Sequence, residues 1–206
     1  MPNWCANRVT IIGSKKNLNQ LIKDSTTSEG FFKFNCLIPI NENINPDDKT
    51  NISQVEHQID MWGTKWDLDD EEHLQLSLFE IDSDKDLETI ESISFGFETA
   101  WTPPTPIYSL MREKYNLHIV ASAVDEAENF IATYLDGQWT GHEDDWNKYY
   151  DQICPKPLDD YDDDEQTEIL DKLDEWIEET IDTVNLENIE RITSKLQQEN
   201  NEMEVN

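Results

Sequence analysis

Residues 90–135 read IESISFGFETAWTPPTPIYSLMREKYNLHIVASAVDEAENFIATYL, and this stretch decides the fold. Ile90 to Phe97 alternates apolar and polar residues, the period of a half-buried strand. Pro103, Pro104 and Pro106 then open a helix through Tyr115, because proline is tolerated in a first turn, where the N–H has no intrahelical partner. Leu117 to Val124 and Phe130 to Leu135 read as two more strands, and Asp136-Gly137 supplies a turn. Strand, helix, strand and an antiparallel neighbour in that order predict an α+β sandwich with helices on one sheet face. Its simplest form is ferredoxin-like.

Working outward, Cys5 to Ile12 (CANRVTII) is β-rich and ends at Gly13. Ser14 can cap a short helix through about Asp24, with Leu18, Leu21 and Ile22 on one face. Phe31 to Ile38 (FFKFNCLI) reads as a strand stopped by Pro39. Residues 40–50 read as a loop. Ile52, Val55 and Ile59 have helical spacing, and Leu74 to Ile81 (LQLSLFEI) alternates as a strand.

The chain of 206 residues has 46 acids against 15 bases, a formal charge of −31. Seven Trp and seven Phe suffice for a core, so wholesale disorder is not expected. Direct binding to nucleic acid is disfavoured, because phosphates would meet a like-charged surface, and a basic partner surface is the natural complement. No apolar run approaches the roughly 20 residues that span a bilayer, and the start of the chain lacks a secretory pattern. Cys5, Cys36 and Cys154 fit reduced thiols of a cytosolic protein. Charge is graded: residues 1–140 hold 24 acids and 10 bases (net −14), and residues 141–206 hold 22 acids and 5 bases (net −17). The expected division is therefore 1–140 as the α+β domain and 141–206 as an acidic helical region.

Three clusters carry a resemblance: MPNWCANRV (Met1 to Val9), WGTKWD (Trp62 to Asp67) and FETAWTPP (Phe97 to Pro104). Together, over roughly residues 1–140, they resemble the YubB-like ferredoxin-fold family of phages and conjugative plasmids. The resemblance implies a ferredoxin-like fold, a mobile-element origin and no established enzymatic activity. Where the family has a glycine-containing stretch, this chain reads Asp125-Glu126-Ala127-Glu128-Asn129. The acidic C-terminal region lies outside the part of the chain that carries the resemblance.

Within those clusters, Trp4, Trp62, Trp66 and Trp101 could form an aromatic binding surface with Arg8, Lys65 and Asp67. The plainer reading is a core of large aromatics with a buried ion pair. His57, His73, His118 and His142 are far apart, and no Cys-x-x-Cys or zincin helix occurs. Asp160, Asp162 and Asp164 superficially suggest a calcium loop. Glu165 and Asp171 stand where that loop needs glycine and glutamate, so no metal and no cofactor are expected. No nucleophile elbow or phosphate-cradling glycine loop is present, so no catalytic residues are assigned.

The C-terminal region is the most informative. At 100° per residue, Ile169, Leu170, Leu173, Trp176, Ile177, Ile181 and Val184 fall within an arc of about 140°. Glu168, Asp171, Asp174, Glu175, Glu178, Glu179 and Asp182 fall on the opposite side. Leu186, Ile189, Ile192 and Leu196 would point about 140° away from the first stripe, which predicts a break near residues 183–186 and two helices.

Carboxylates three and four residues apart stand roughly 5–6 Å from one another on a helix, similar to successive phosphates of a nucleic acid. Asp159, Asp160, Asp162, Asp163, Asp164 and Glu165 extend the row before the helix. A solvated face would give the same pattern. However, like charges at i,i+4 destabilise a helix, and only Lys172 compensates nearby. The expected function is a non-enzymatic accessory protein. It would bind a basic, nucleic-acid-binding host defence protein through these thirteen carboxylates, in the cytoplasm of a bacterial host. The alternatives are a ligand-binding or enzymatic domain with Arg8, Lys65, Asp67 and Trp101 around one pocket, and an assembly protein that self-associates through its C-terminal helices.

Overall fold

Strand β1 (Trp4–Ser14) is the spine of the molecule. It pairs antiparallel along its whole length with β2 (Ile90–Ala100) and, on its other edge, with β3 (His118–Asp125). Strand β4 (Ile131–Leu135) and a short β5 (Gln138–Gly141), which the sequence reading lacks, complete a five-stranded sheet of order β2-β1-β3-β4-β5. The computed structural model describes residues 3–40, 54–68, 87–126 and 129–204. The expected strand at 74–81 and most of the loop at 40–50 lie outside them.

Helix α1 (Lys15–Ser25) starts where expected: the Ser14 hydroxyl accepts from the Asn17 backbone N–H at 3.3 Å. Strand β2 is joined to β3 by α4 (Thr105–Tyr115), with β1 lying between the two strands. This is the split β-α-β unit of a ferredoxin-like sheet. Proline at the start of α4 and Asn116 in the left-handed conformation after its end bound that helix.

The stretch Phe31 to Ile38 is not the expected strand. Thr26 and Phe32 form an isolated bridge, and Phe34–Leu37 is a one-turn helix, α2. The Asp67 carboxylate, 33 residues downstream, accepts from the Phe34 and Asn35 backbone N–H groups at 2.7 and 3.1 Å. A remote cap thus overrides the β-propensity of an apolar run. Helix α3 (Gln54–Trp62) precedes Asp67.

Strand alternation separates two faces. Val9, Ile11, Ile93, Phe97, Ile119, Ala121 and Tyr134 pack with Leu18 and Leu21 of α1, Phe34, Trp62, and Ile107, Tyr108 and Met111 of α4 in one continuous core. The opposite face carries Ile12, Val120, Val124, Ile131 and Leu135, and it is covered by the C-terminal helix. The sheet is therefore sandwiched between helical layers, not covered on one face only.

Candidate functional site: the acidic C-terminal helix

After β5, α5 (Glu143–Ile153) and a 3-10 turn at Leu158–Asp160 lead into α6, which runs without interruption from Asp163 to Glu204. At 1.5 Å per residue its 42 residues span about 63 Å. The expected break near residues 183–186 does not exist. No Pro or Gly stands there to make one, and the two apolar stripes are points on one drifting line. Ile169, Leu173, Ile177 and Ile181 recur every fourth residue, and each step of four advances a helical position by about 40°. The partners change as the line turns. Ile169 and Leu173 meet Tyr149, Tyr150 and Ile153 of α5. Ile177 and Ile181 meet Ile131 and Val124 of the sheet. Ile189, Ile192 and Leu196 meet Ile12, Ile90, Val120 and Leu135. A helix crossing twisted strands follows such a rotating stripe, whereas a flat partner would have forced a break. Ile169, Leu173, Ile177, Ile181 and Ile192 are buried within the chain, whereas Leu170 and Leu186 remain exposed.

The start of α6 is a capping box. The Asp162 carboxylate accepts from the Glu165 N–H at 2.9 Å, and Glu165 accepts from the Asp162 N–H at 3.3 Å. Asp163, Asp164 and Glu165 stand in the first turn, where the helix dipole favours negative charge. Tyr149 stacks on Trp176 with ring centroids 5.7 Å apart, fixing α5 against α6.

Between the two sheet contacts of α6 runs a row with no large apolar side chain. Cross-strand pairing places Gly96, Arg8, Ser122, Thr133 and Thr140 directly opposite one another across all five strands. His142 Nε2 lies 3.0 Å from the Thr133 hydroxyl. Arg8 reaches up to α6 and pairs with Glu178 at 2.5 Å and Asp182 at 3.4 Å. The bond from Glu178 holds the Arg8 guanidinium above its ordinary value. A cleft of about 380 Å³ opens on one side of this bridge, lined in part by Asp125, Glu126, Asp174 and Ile177. A second, of about 500 Å³, opens on the other side beside Ser94, Asn185 and Leu186.

All thirteen expected carboxylates are exposed. Glu178 and Asp182 are tied to Arg8. Glu168 bonds Lys172 at 2.7 Å, which lowers its carboxyl below the ordinary value. Asp162 and Glu165 serve the cap. The other eight, Asp159, Asp160, Asp163, Asp164, Asp171, Asp174, Glu175 and Glu179, have no ion pair among the described residues.

The second expected grouping is not brought together. Arg8 faces α6, whereas Lys65 lies with its Nζ 4.8 Å from the Trp101 ring centroid. Asp67 is consumed in capping and is pushed above the usual carboxylate range by burial, although three backbone N–H groups act against the shift. Of the four tryptophans, Trp62 is a core residue, whereas Trp66 and Trp101 are exposed. The alternation of CANRVTII already puts Arg8 on the face of Ala6 and Thr10, a signal that the motif grouping overlooked.

Among the described residues no group of three or more His, Cys, Asp or Glu is arranged to hold a metal ion. Nor is any helix among them long and apolar enough to cross a membrane. The fold and site define a class: a ferredoxin-like antiparallel sheet whose outer face is sheathed by one long acidic helix. Residues 61–202, about two thirds of the chain, match the family described as the ferredoxin-like domain in Api92-like protein, and the chain belongs to that family. No curated protein and no solved structure matches it. The matched region runs through residue 140 and takes in β2 to β5 with most of α6. Most of the acidic helix thus lies inside the matched region.

Proposed function

We propose that this chain is a non-enzymatic accessory protein of a phage or plasmid. In this reading it binds and inhibits a basic, nucleic-acid-binding defence protein of its bacterial host, of the kind met by anti-CRISPR or anti-restriction proteins. The reading rests on one observation. Eight exposed carboxylates without ion pairs among the described residues follow one another along a single helix and the turn before it, and the helix is held by apolar contacts from Ile169 to Leu196. Like charges so spaced oppose helix formation, and their local neutralisation is slight. A basic groove shaped for phosphates would meet charges at similar intervals, and each Lys or Arg could form a charge-assisted bond.

Asp171→Asn, Asp174→Asn, Glu175→Gln and Glu179→Gln combined should abolish capture of nucleic-acid-binding proteins from a bacterial lysate without lowering thermal stability. Capture by the unaltered protein should fall as salt rises and be competed by duplex DNA. Capture that the fourfold variant retains, or that duplex DNA does not compete, would reject the reading.

A further inference from the structure

The three motifs at Trp4, Trp62–Asp67 and Phe97–Pro104 meet at the end of the sheet where β1 begins and β2 ends, with Trp4 and Trp66 ring centroids 5.9 Å apart. Trp66 and Trp101 are 40% and 43% exposed, whereas Trp62 of the same motif is 2% exposed and bonds the Ile38 carbonyl at 2.9 Å. Trp101 sits at φ 77°, a backbone conformation that a bulky residue adopts only under constraint.

The constraint is visible. The Trp101 N–H donates to the Asn3 carbonyl at 2.9 Å, the Thr64 hydroxyl to the Ala100 carbonyl at 3.0 Å, and the Thr99 hydroxyl to the Thr102 carbonyl at 2.8 Å. The Thr102 hydroxyl donates to Gly63. Gly63, at φ 82°, has no room for a side chain, since a Cβ would lie 2.7 Å from Pro106. Three separate segments are thus locked so that two indoles face solvent, and backbone strain is retained to keep one of them there.

The chemistry of the surface is narrow. The Lys65 ammonium stands 4.5 Å from the Trp66 ring centroid and 4.8 Å from that of Trp101. No carboxylate pairs with Lys65 among the described residues. The cation of an aromatic cage is already supplied from within, so an organic cation is not the ligand. Asp67, the nearest carboxylate in sequence, is turned into backbone caps and is not free for sugar hydroxyls. An exposed indole beside an ammonium suits a planar ring that carries an anion. A formal charge of −31 disfavours a nucleic-acid polymer and leaves a single nucleotide.

We infer that the Trp66–Lys65–Trp101 platform binds a nucleoside monophosphate, its base stacked on an indole and its phosphate paired with Lys65. This goes beyond the reading of α6 and does not depend on it.

Full-length protein is titrated with adenosine 5′-monophosphate, adenosine and ribose 5-phosphate, followed by calorimetry and by the indole N–H resonances. The monophosphate should shift the resonances of Trp66 and Trp101 and leave that of buried Trp62 in place. Lys65→Gln should weaken the monophosphate about tenfold and leave adenosine unchanged. Trp101→Gly should weaken both by roughly 5- to 150-fold, the range that loss of one stacking partner gives. Because glycine adopts φ 77° freely, that variant should keep its melting temperature within about 4 °C. The fourfold α6 variant should bind the monophosphate as the unaltered protein does. No shift at up to about 10 mM nucleotide, a weakness beyond which binding is marginal, would overturn the inference. So would ribose 5-phosphate binding as tightly as the monophosphate, or affinity that survives both substitutions. A larger fall in melting temperature with Trp101→Gly would assign Trp101 to packing and overturn it as well.

Discussion

The two faces of the sheet are made by the same five strands and are held in different ways. On the face toward α1 and α4, aromatic rings pack in one cluster: Phe34 meets Phe32, Phe97 and Trp62 at centroid distances of 5.8 to 6.2 Å. On the face toward α6, the row through Arg8, Ser122 and Thr133 cuts the apolar contact in two and leaves clefts on both sides. Continuous apolar packing stabilises the fold. The interrupted face instead trades burial for a long helix whose outer side is free to carry charge.

That contrast can be broken most sharply by truncating one residue on each face. Phe34→Ala should cost about 3–5 kcal/mol in chemical denaturation, as full truncation of a buried aromatic does. Ile181→Ala should cost about 2 kcal/mol, the low end for its type, because Ile181 already borders a cleft. Equal costs would mean that both faces are one core. Removing the cap of α6 is a smaller perturbation. Asp162→Ala should cost about 1 kcal/mol and show first as faster amide exchange in the opening turns of α6, while the inner core stays protected.

The smallest effect depends on pH. Asp136 is buried enough to raise its carboxyl, but the bond with His118 at 2.6 Å, the Ile119 N–H and the Arg112 charge together bring it below the ordinary value. A carboxyl depressed by folding contributes stability that is fully present above the unfolded aspartate value. That contribution is lost as pH falls through the folded one. Asp136→Asn should therefore lower the denaturation midpoint near neutrality and approach that of the unaltered protein as the pH falls through the depressed folded value. A constant gap at all pH values would show that the carboxylate's charge plays no part.

How far the sequence could be read follows from the range of the forces involved. Ser14 as a cap, the proline start of α4 and the turn at Asp136-Gly137 are local, and the structure has all three. Helix α2 is hidden because Asp67, its cap, is remote in sequence. β5 is four residues long, too short for alternation to register. The continuity of α6 is hidden because periodicity measured against a straight axis takes no account of a twisting, changing partner. The thirteen carboxylates were legible as a face, but their division was not. Arg8 claims two of them through pairing that only the three-dimensional register of β1 and α6 creates.

One consequence of the drifting stripe on α6 concerns how this protein can change over generations. The residues that anchor the helix and the eight carboxylates of α6 and the turn before it interleave along one segment, the anchors buried and the carboxylates exposed. Such an arrangement separates the side chains that hold the fold from those that meet solvent, so the displayed surface can vary over one scaffold.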